Sequence, residues 1–195
     1  MSATLTDADF ARAAKALNVE EAAIRAVAEV EAAGKGFIHD GRPAILYEAH
    51  IFHKETGGKH AGAKDRRGVA LSSPKWDRSL YGATGAAQHA RYEDARKLDP
   101  DAANKACSWG MFQILGQNHK ACGFDNSQDF VDAMWTGGAA AHLDAFVAFV
   151  KANNLDGALR AKNWAAFARG YNGPAYAQNA YDKKMASAYA RWAKK

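Results

Sequence analysis

Proline stands at only four of 195 positions, Pro43, Pro74, Pro100 and Pro174, and the stretches between are rich in alanine. Proline breaks a helix interior and alanine is the strongest helix former, so a mainly helical chain is expected. Thr6 is a good N-cap for a first helix ending at Leu17. Asn18 then stands where it caps a second helix, VEEAAIRAVAEVEAAG, with Glu21 completing a capping-box-like pair and Gly34 as the terminator. Further helices are predicted over AAQHARYEDARKL, over DAANKACSWGMFQI, over SQDFVDAMW capped by Ser127, and over NWAAFARGYNG. GAAAHLDAFVAFVKAN carries a buried stripe of Leu143, Phe146, Val147 and Val150, and DKKMASAYARWAKK one of Met185, Ala188, Tyr189 and Trp192.

The segment from Lys35 to about Asp77 differs. Glycines are frequent, and AILYEAHIF alternates, with Ile45, Tyr47 and Ala49 on one side and Leu46, Glu48 and His50 on the other. That predicts a strand or short hairpin. Thr56 to Lys75 reads as a long exposed loop. The fold class is therefore mainly α, with a small β element after the second helix.

A chain of 195 residues fits one domain and buries about 70% of its unfolded surface. Two cysteines, Cys107 and Cys122, make no disulfide framework and read as buried thiols. The seven histidines are scattered, His50 and His53 lacking a second matching pair, so no metal and no cofactor is expected. No apolar run approaches the roughly 18 residues of a membrane span, and the N-terminus does not read as a secretory signal. These features point to a soluble protein made in a reducing compartment. The net charge of +5 leaves three partners open: nucleic acid, a membrane surface or an anionic polymer.

Glu31 is the most informative residue. It falls on the apolar face of the second helix, with Ile24, Val27 and Ala28, and in the last turn. Burial and the negative end of the helix dipole both disfavour a carboxylate there. A carboxyl group so placed stays protonated toward neutral pH, as a general acid must. Glu29, four residues from Arg25 on another face, reads as half of a solvated pair. A second constellation is Ser108-Trp109-Gly110-Met111-Phe112-Gln113-Ile114. A glycine inside this helical pattern marks close approach of a neighbour or ligand, and Gln113 is a polar group able to hydrogen-bond a sugar. The third is Gly170-Tyr171-Asn172-Gly173-Pro174, where a helix stop presents an aromatic face and an amide.

Taken in order, these three constellations resemble the goose-type lysozyme and soluble lytic transglycosylase group. The chain is still more similar to the N-acetylmuramidase family of phage endolysins. VAEVEAAGKGF, GRPAILYEAHIFH, CSWGMFQI, NHKACGF and WAAFARGYNGPAYAQNAYDKKMASAYARWA carry that likeness, which spans about residues 18–193. It implies a lysozyme-like fold and cleavage of the β-1,4 bond between N-acetylmuramic acid and N-acetylglucosamine in peptidoglycan. The family's catalytic glutamate falls on Glu31, its glutamine on Gln113 and its Tyr-Asn pair on Tyr171 and Asn172; Ala32-Ala33-Gly34 replaces a common Ser-x-Gly. The likeness further implies a single catalytic domain over 1–195 without a separate wall-binding module. It also implies action on periplasmic peptidoglycan after release from the host cytoplasm by a holin.

Hydrolysis commonly needs a second carboxylate, which acts as nucleophile or activates water according to its distance from the acid. Glu48 is the candidate, with Asp40 and Asp65 as weaker ones. A lytic transglycosylase needs none, because the muramic 6-hydroxyl attacks internally and leaves an anhydro end. Tyr81, Gln88 and Tyr92 are expected to line the cleft with Tyr171. A reading from another class is a non-catalytic wall- or nucleic-acid-binding module built on the basic clusters at Lys64–Arg67, Lys183-Lys184 and Lys194-Lys195. That reading gives Glu31 no purpose. The charge is then assigned to the anionic wall polymer, nucleic acid is excluded, and a monomer is expected.

Overall fold

The computed structural model describes residues 2–32 and 36–195, so the expected terminator Gly34 lies outside the described residues. The chain begins with α1, Asp7–Leu17, which Thr6 caps in a reciprocal box with Asp9. Asn18 does not open the second helix. It sits in the left-handed region at φ 53° and ends α1, its N–H donating to Ala14 and Lys15 carbonyls. Asparagine tolerates that conformation, and so α2, Glu21–Ala32, starts three residues later.

The β element is a three-stranded antiparallel sheet in the order β1-β2-β3. β1 covers only Ile45–Tyr47. The expected alternation stops at Glu48, which opens a short helix, α3, Ala49–Glu55. α4, Ala86–Arg96, follows as predicted. The predicted helix over DAANKACSWGMFQI is wrong beyond its first turns. α5 spans Pro100–Lys105, and the chain then runs into β2, Cys107–Trp109, and β3, Ile114–Leu115. Tyr47 pairs with Cys107, Ile45 with Trp109, and Trp109 in turn with Ile114. The loop at the tip of the hairpin is Gly110-Met111-Phe112-Gln113. Gly110 at φ 69° and Gln113 at φ 48° turn the chain through the left-handed region, which no continuous helix permits.

Helix returns in α6, Ser127–Thr136, capped by Asn126 and not Ser127, and in α7, Gly138–Ala152. α8, Asp156–Arg160, α9, Trp164–Asn172, and α10, Tyr181–Trp192, complete the chain. Phe130, Leu143, Phe146 and Phe167 from α6, α7 and α9 are fully buried, together with Ile24 and Val27 of α2. Trp109 lies in the core, edge-on to Tyr92 at 5.0 Å, its indole N–H donating to the Asn104 carbonyl. α10 packs along α2 and α9. Both cysteines are buried and free.

The stretch from Thr56 to Lys75 is not simply exposed. Asp65 is 5% exposed and Leu71 is 1% exposed. The Asp65 carboxylate accepts from the N–H groups of Arg67 and Val69 and from the Arg67 guanidinium, folding residues 64–70 into a tight turn. This weaker candidate acid is a loop anchor. Asp40 is another: Arg42 grips it at 2.6 Å and holds its carboxyl down to about 2.

Candidate active site

Glu31 ends up where the sequence pattern sends it. Six of the twelve residues of α2 are buried against the core, and the same face carries Glu31 to the floor of an open cleft of about 590 Å³. The cleft is walled by Phe37 and Ile38, by Leu46 of β1, by Thr84 and Gly85 from the loop before α4, and by Met111 and Gln113 of the hairpin tip. Glu31 is the only carboxylic acid among its described lining residues. Burial raises its pKa from 4.5 to about 7, opposed by one donor, Asn172. The Asn172 side-chain amide donates to both carboxyl oxygens at 3.2 Å. Its own Oδ1 is buried with no partner among the described residues.

Glu29 does not pair with Arg25. Arg25 reaches Asp7 and Glu21, at 2.6 Å each, and lies over the Phe10 ring. Glu29 instead accepts from Arg191 and from the Trp192 indole, across on α10.

The hairpin tip is clamped from three sides. Gln113 Oε1 accepts from the Ser108 hydroxyl at 3.0 Å, while its Nε2 donates to the carbonyls of Gly110 and Ala44. The Met111 N–H donates to His142 Nδ1, whose other nitrogen meets the Met134 carbonyl. Gly110 packs so tightly on that ring that a Cβ there would stand 2.7 Å from Nδ1. The close approach expected at this glycine is real, and the neighbour is a core histidine, its pKa lowered by burial.

Tyr171 does not offer its ring to the cleft. The ring packs among Phe146, Phe149 and Phe167, each at 5.6 Å. Its hydroxyl donates to the Phe112 carbonyl at 2.8 Å. Two consecutive residues at the end of α9 therefore bind two parts of the cleft, Tyr171 the hairpin and Asn172 the acid.

Glu48 follows β1 directly, in extended backbone at the start of α3. The Tyr81 hydroxyl donates to its carboxylate, 2.9 and 2.7 Å from the two oxygens, and His50 Nδ1 lies 3.3 Å away. Burial raises the Glu48 pKa against the Tyr81 bond. Glu48 is not among the residues lining the cleft around Glu31. Gln88 is fully buried. Its amide accepts from the Tyr47 N–H and donates to the carbonyls of Tyr81 and Ala83, fastening the loop wall rather than facing solvent. Tyr92 is also buried, bonded to Asn104. Sequence reasoning passed over Trp76. It is 60% exposed and its indole N–H donates to the Tyr81 hydroxyl, so Trp76, Tyr81 and Glu48 form one chain. Among the described residues no group of three or more His, Cys, Asp or Glu could hold a metal ion.

The N-acetylmuramidase family model matches residues 20–193. The crystal structure of a Burkholderia AP3 phage endolysin is similar, with a TM-score of 0.88 and 45% sequence identity over 98% of this chain and 72% of that one. No curated protein matches the chain.

Proposed function

The chain belongs to the N-acetylmuramidase family, and from that premise we propose that Glu31 is the general acid cleaving the β-1,4 bond between N-acetylmuramic acid and N-acetylglucosamine. The protein is a peptidoglycan-hydrolysing glycoside hydrolase of the phage endolysin kind. The observation that carries the role of Glu31 is a lone carboxyl group on the cleft, held near a pKa of 7 by burial. At neutral pH much of it carries the proton that a departing glycosidic oxygen needs. As the bond breaks, the carboxylate left behind is received by the Asn172 amide.

Gln113 keeps a second lone pair on Oε1 for a sugar hydroxyl. Tyr171 acts as a positioning residue through Phe112. Tyr81 and Gln88 hold the opposite wall, and Tyr81 steadies Glu48 as the carboxylate that directs water onto the anomeric carbon. Glu48→Gln is expected to abolish turnover without unfolding, measured on purified sacculi beside a melting curve. Retained activity would reduce Glu48 to a strut for Tyr81. The products distinguish the chemistry. Mass spectrometry of released muropeptides is expected to show reducing ends with water added; products one water lighter, with anhydro ends, would replace hydrolysis by transglycosylation.

Asn172→Ala removes the one bond among the described residues that favours ionised Glu31. The acid then keeps its proton to higher pH, and the alkaline limb of the kcat profile is expected to move upward. An unmoved limb would mean that Asn172 does not touch the acid in the working enzyme.

We also propose that the 195 residues act as one catalytic domain and as a monomer. Access to the periplasmic wall follows lesions made by a separate holin during host lysis. Among the described residues no helix is long and apolar enough to cross a membrane.

A further inference from the structure

The charged surface beside the acid is uneven. A groove of about 540 Å³ runs between α2 and α10, lined by Glu29, Val30, Lys183, Lys184, Ser187 and Arg191. Glu29 and Val30 are the residues immediately before Glu31. Tyr181, which opens α10, lies close enough to Glu31 for its charge to act on the phenol. The groove therefore shares α2 with the acid, although no described residue lines both the groove and the cleft.

Its charges are three cations against one anion. The anion is already satisfied, because Glu29 takes both Arg191 and the Trp192 indole. Lys183 and Lys184 make no ion pair among the described residues, and both are exposed. The other internal basic cluster differs: Arg66 is held by Asp94 and Arg67 by Asp65. Two ammonium groups without a carboxylate partner among the described residues thus line this groove, Lys184 Nζ lying 5.8 Å from the centre of the Tyr181 ring.

We propose that this groove binds the carboxylates of the peptide stem carried by the muramic acid residue at the scissile bond, with Lys183 and Lys184 as the contacts. The glycan backbone of N-acetylated sugars bears no charge, whereas the stem that leaves the lactyl group of muramic acid carries free carboxylates. Tyr181 links the two places, since its phenol feels the Glu31 charge and its ring lies under the Lys184 ammonium. The inference rests on Glu31 as the reacting acid.

The test compares soluble glycan strands bearing stems with the same strands stripped of them by an amidase, the lactyl carboxylate that this cut exposes then being capped as its methylamide. Lys183→Ala together with Lys184→Ala is expected to raise KM on stem-bearing strands about five- to tenfold, as loss of two charge-assisted contacts should. kcat should hold, and KM on stripped strands should change less than twofold. Lys59→Ala with Lys64→Ala removes the same charge elsewhere and should leave both substrates alone. In parallel, binding of both strand types is measured with Glu31→Gln protein, with and without the lysine changes. Equal losses on stripped and stem-bearing strands, or an equal loss from the Lys59 and Lys64 pair, would overturn the proposal and leave only general attraction. Failure of the Glu31 reading shows separately, as turnover by Glu31→Gln itself.

Discussion

Glu31→Gln is expected to cut turnover by about 10²–10⁴, the range of a lost general acid, while making the folded protein more resistant to alkaline unfolding. The two effects have one cause. Burial raises the Glu31 pKa from 4.5 to about 7. Folding therefore favours the protonated form, and the stability this group supports is complete below about pH 4.5 and lost as pH rises through 7. At pH 9 the wild type carries a penalty of about 2–3 kcal/mol, at roughly 1.4 kcal/mol per unit and discounted for partial exposure. Glutamine has nothing to ionise. Melting curves at pH 4 and pH 9 are expected to coincide for the two proteins at the lower pH and to separate at the higher, with the variant melting later. A variant that still clears peptidoglycan would end the assignment of Glu31. A variant equally stable at both pH values, relative to wild type, would show that the carboxyl group is better solvated than its place on α2 implies.

Gly110→Ala is expected to lower stability by about 3 kcal/mol or more, combining left-handed backbone strain with overpacking. For a chain this long that is a melting temperature lower by roughly 6–12 °C. The backbone at Gly110 has φ 69°, and the added methyl would meet His142 Nδ1 at 2.7 Å. That nitrogen accepts the Met111 N–H, so the ring cannot retreat without breaking the bond that pins the hairpin tip. Gly123→Ala separates the two parts. Its φ is 89° with open space around it, so it should show backbone strain alone, on the order of 1 kcal/mol. Equal losses at both positions would mean that the histidine gives way freely.

Much of the helical frame was legible because apolar stripes of helical period mark α7 and α10, Thr6 caps α1, and the stretches that form α4, α6 and α9 contain no proline. The hairpin was not. Ala-Asn-Lys-Ala-Cys-Ser-Trp has no alternation, since all three residues of β2 are buried, and a strand buried on both faces loses the period-two signal. Gly110 was the one local sign of a turn. Asn18 suits the end of one helix as well as the start of another, and only packing decides. Within the site, the setting of Glu31 was readable from its helix face. Its bond to Asn172 was not, because 141 residues separate the two and nothing local in either segment requires the other. Tyr171 was misread for a related reason: a tyrosine at a helix end looks alike whether its ring faces solvent or three phenylalanines.

The joint at the end of α9 carries a mechanical consequence. Tyr171 is bonded to the hairpin tip and Asn172 to the acid, so load applied to one is transmitted to the other through a single peptide unit. A displacement of the hairpin tip is thereby coupled to the Glu31 carboxyl by two adjacent side chains of one helix end.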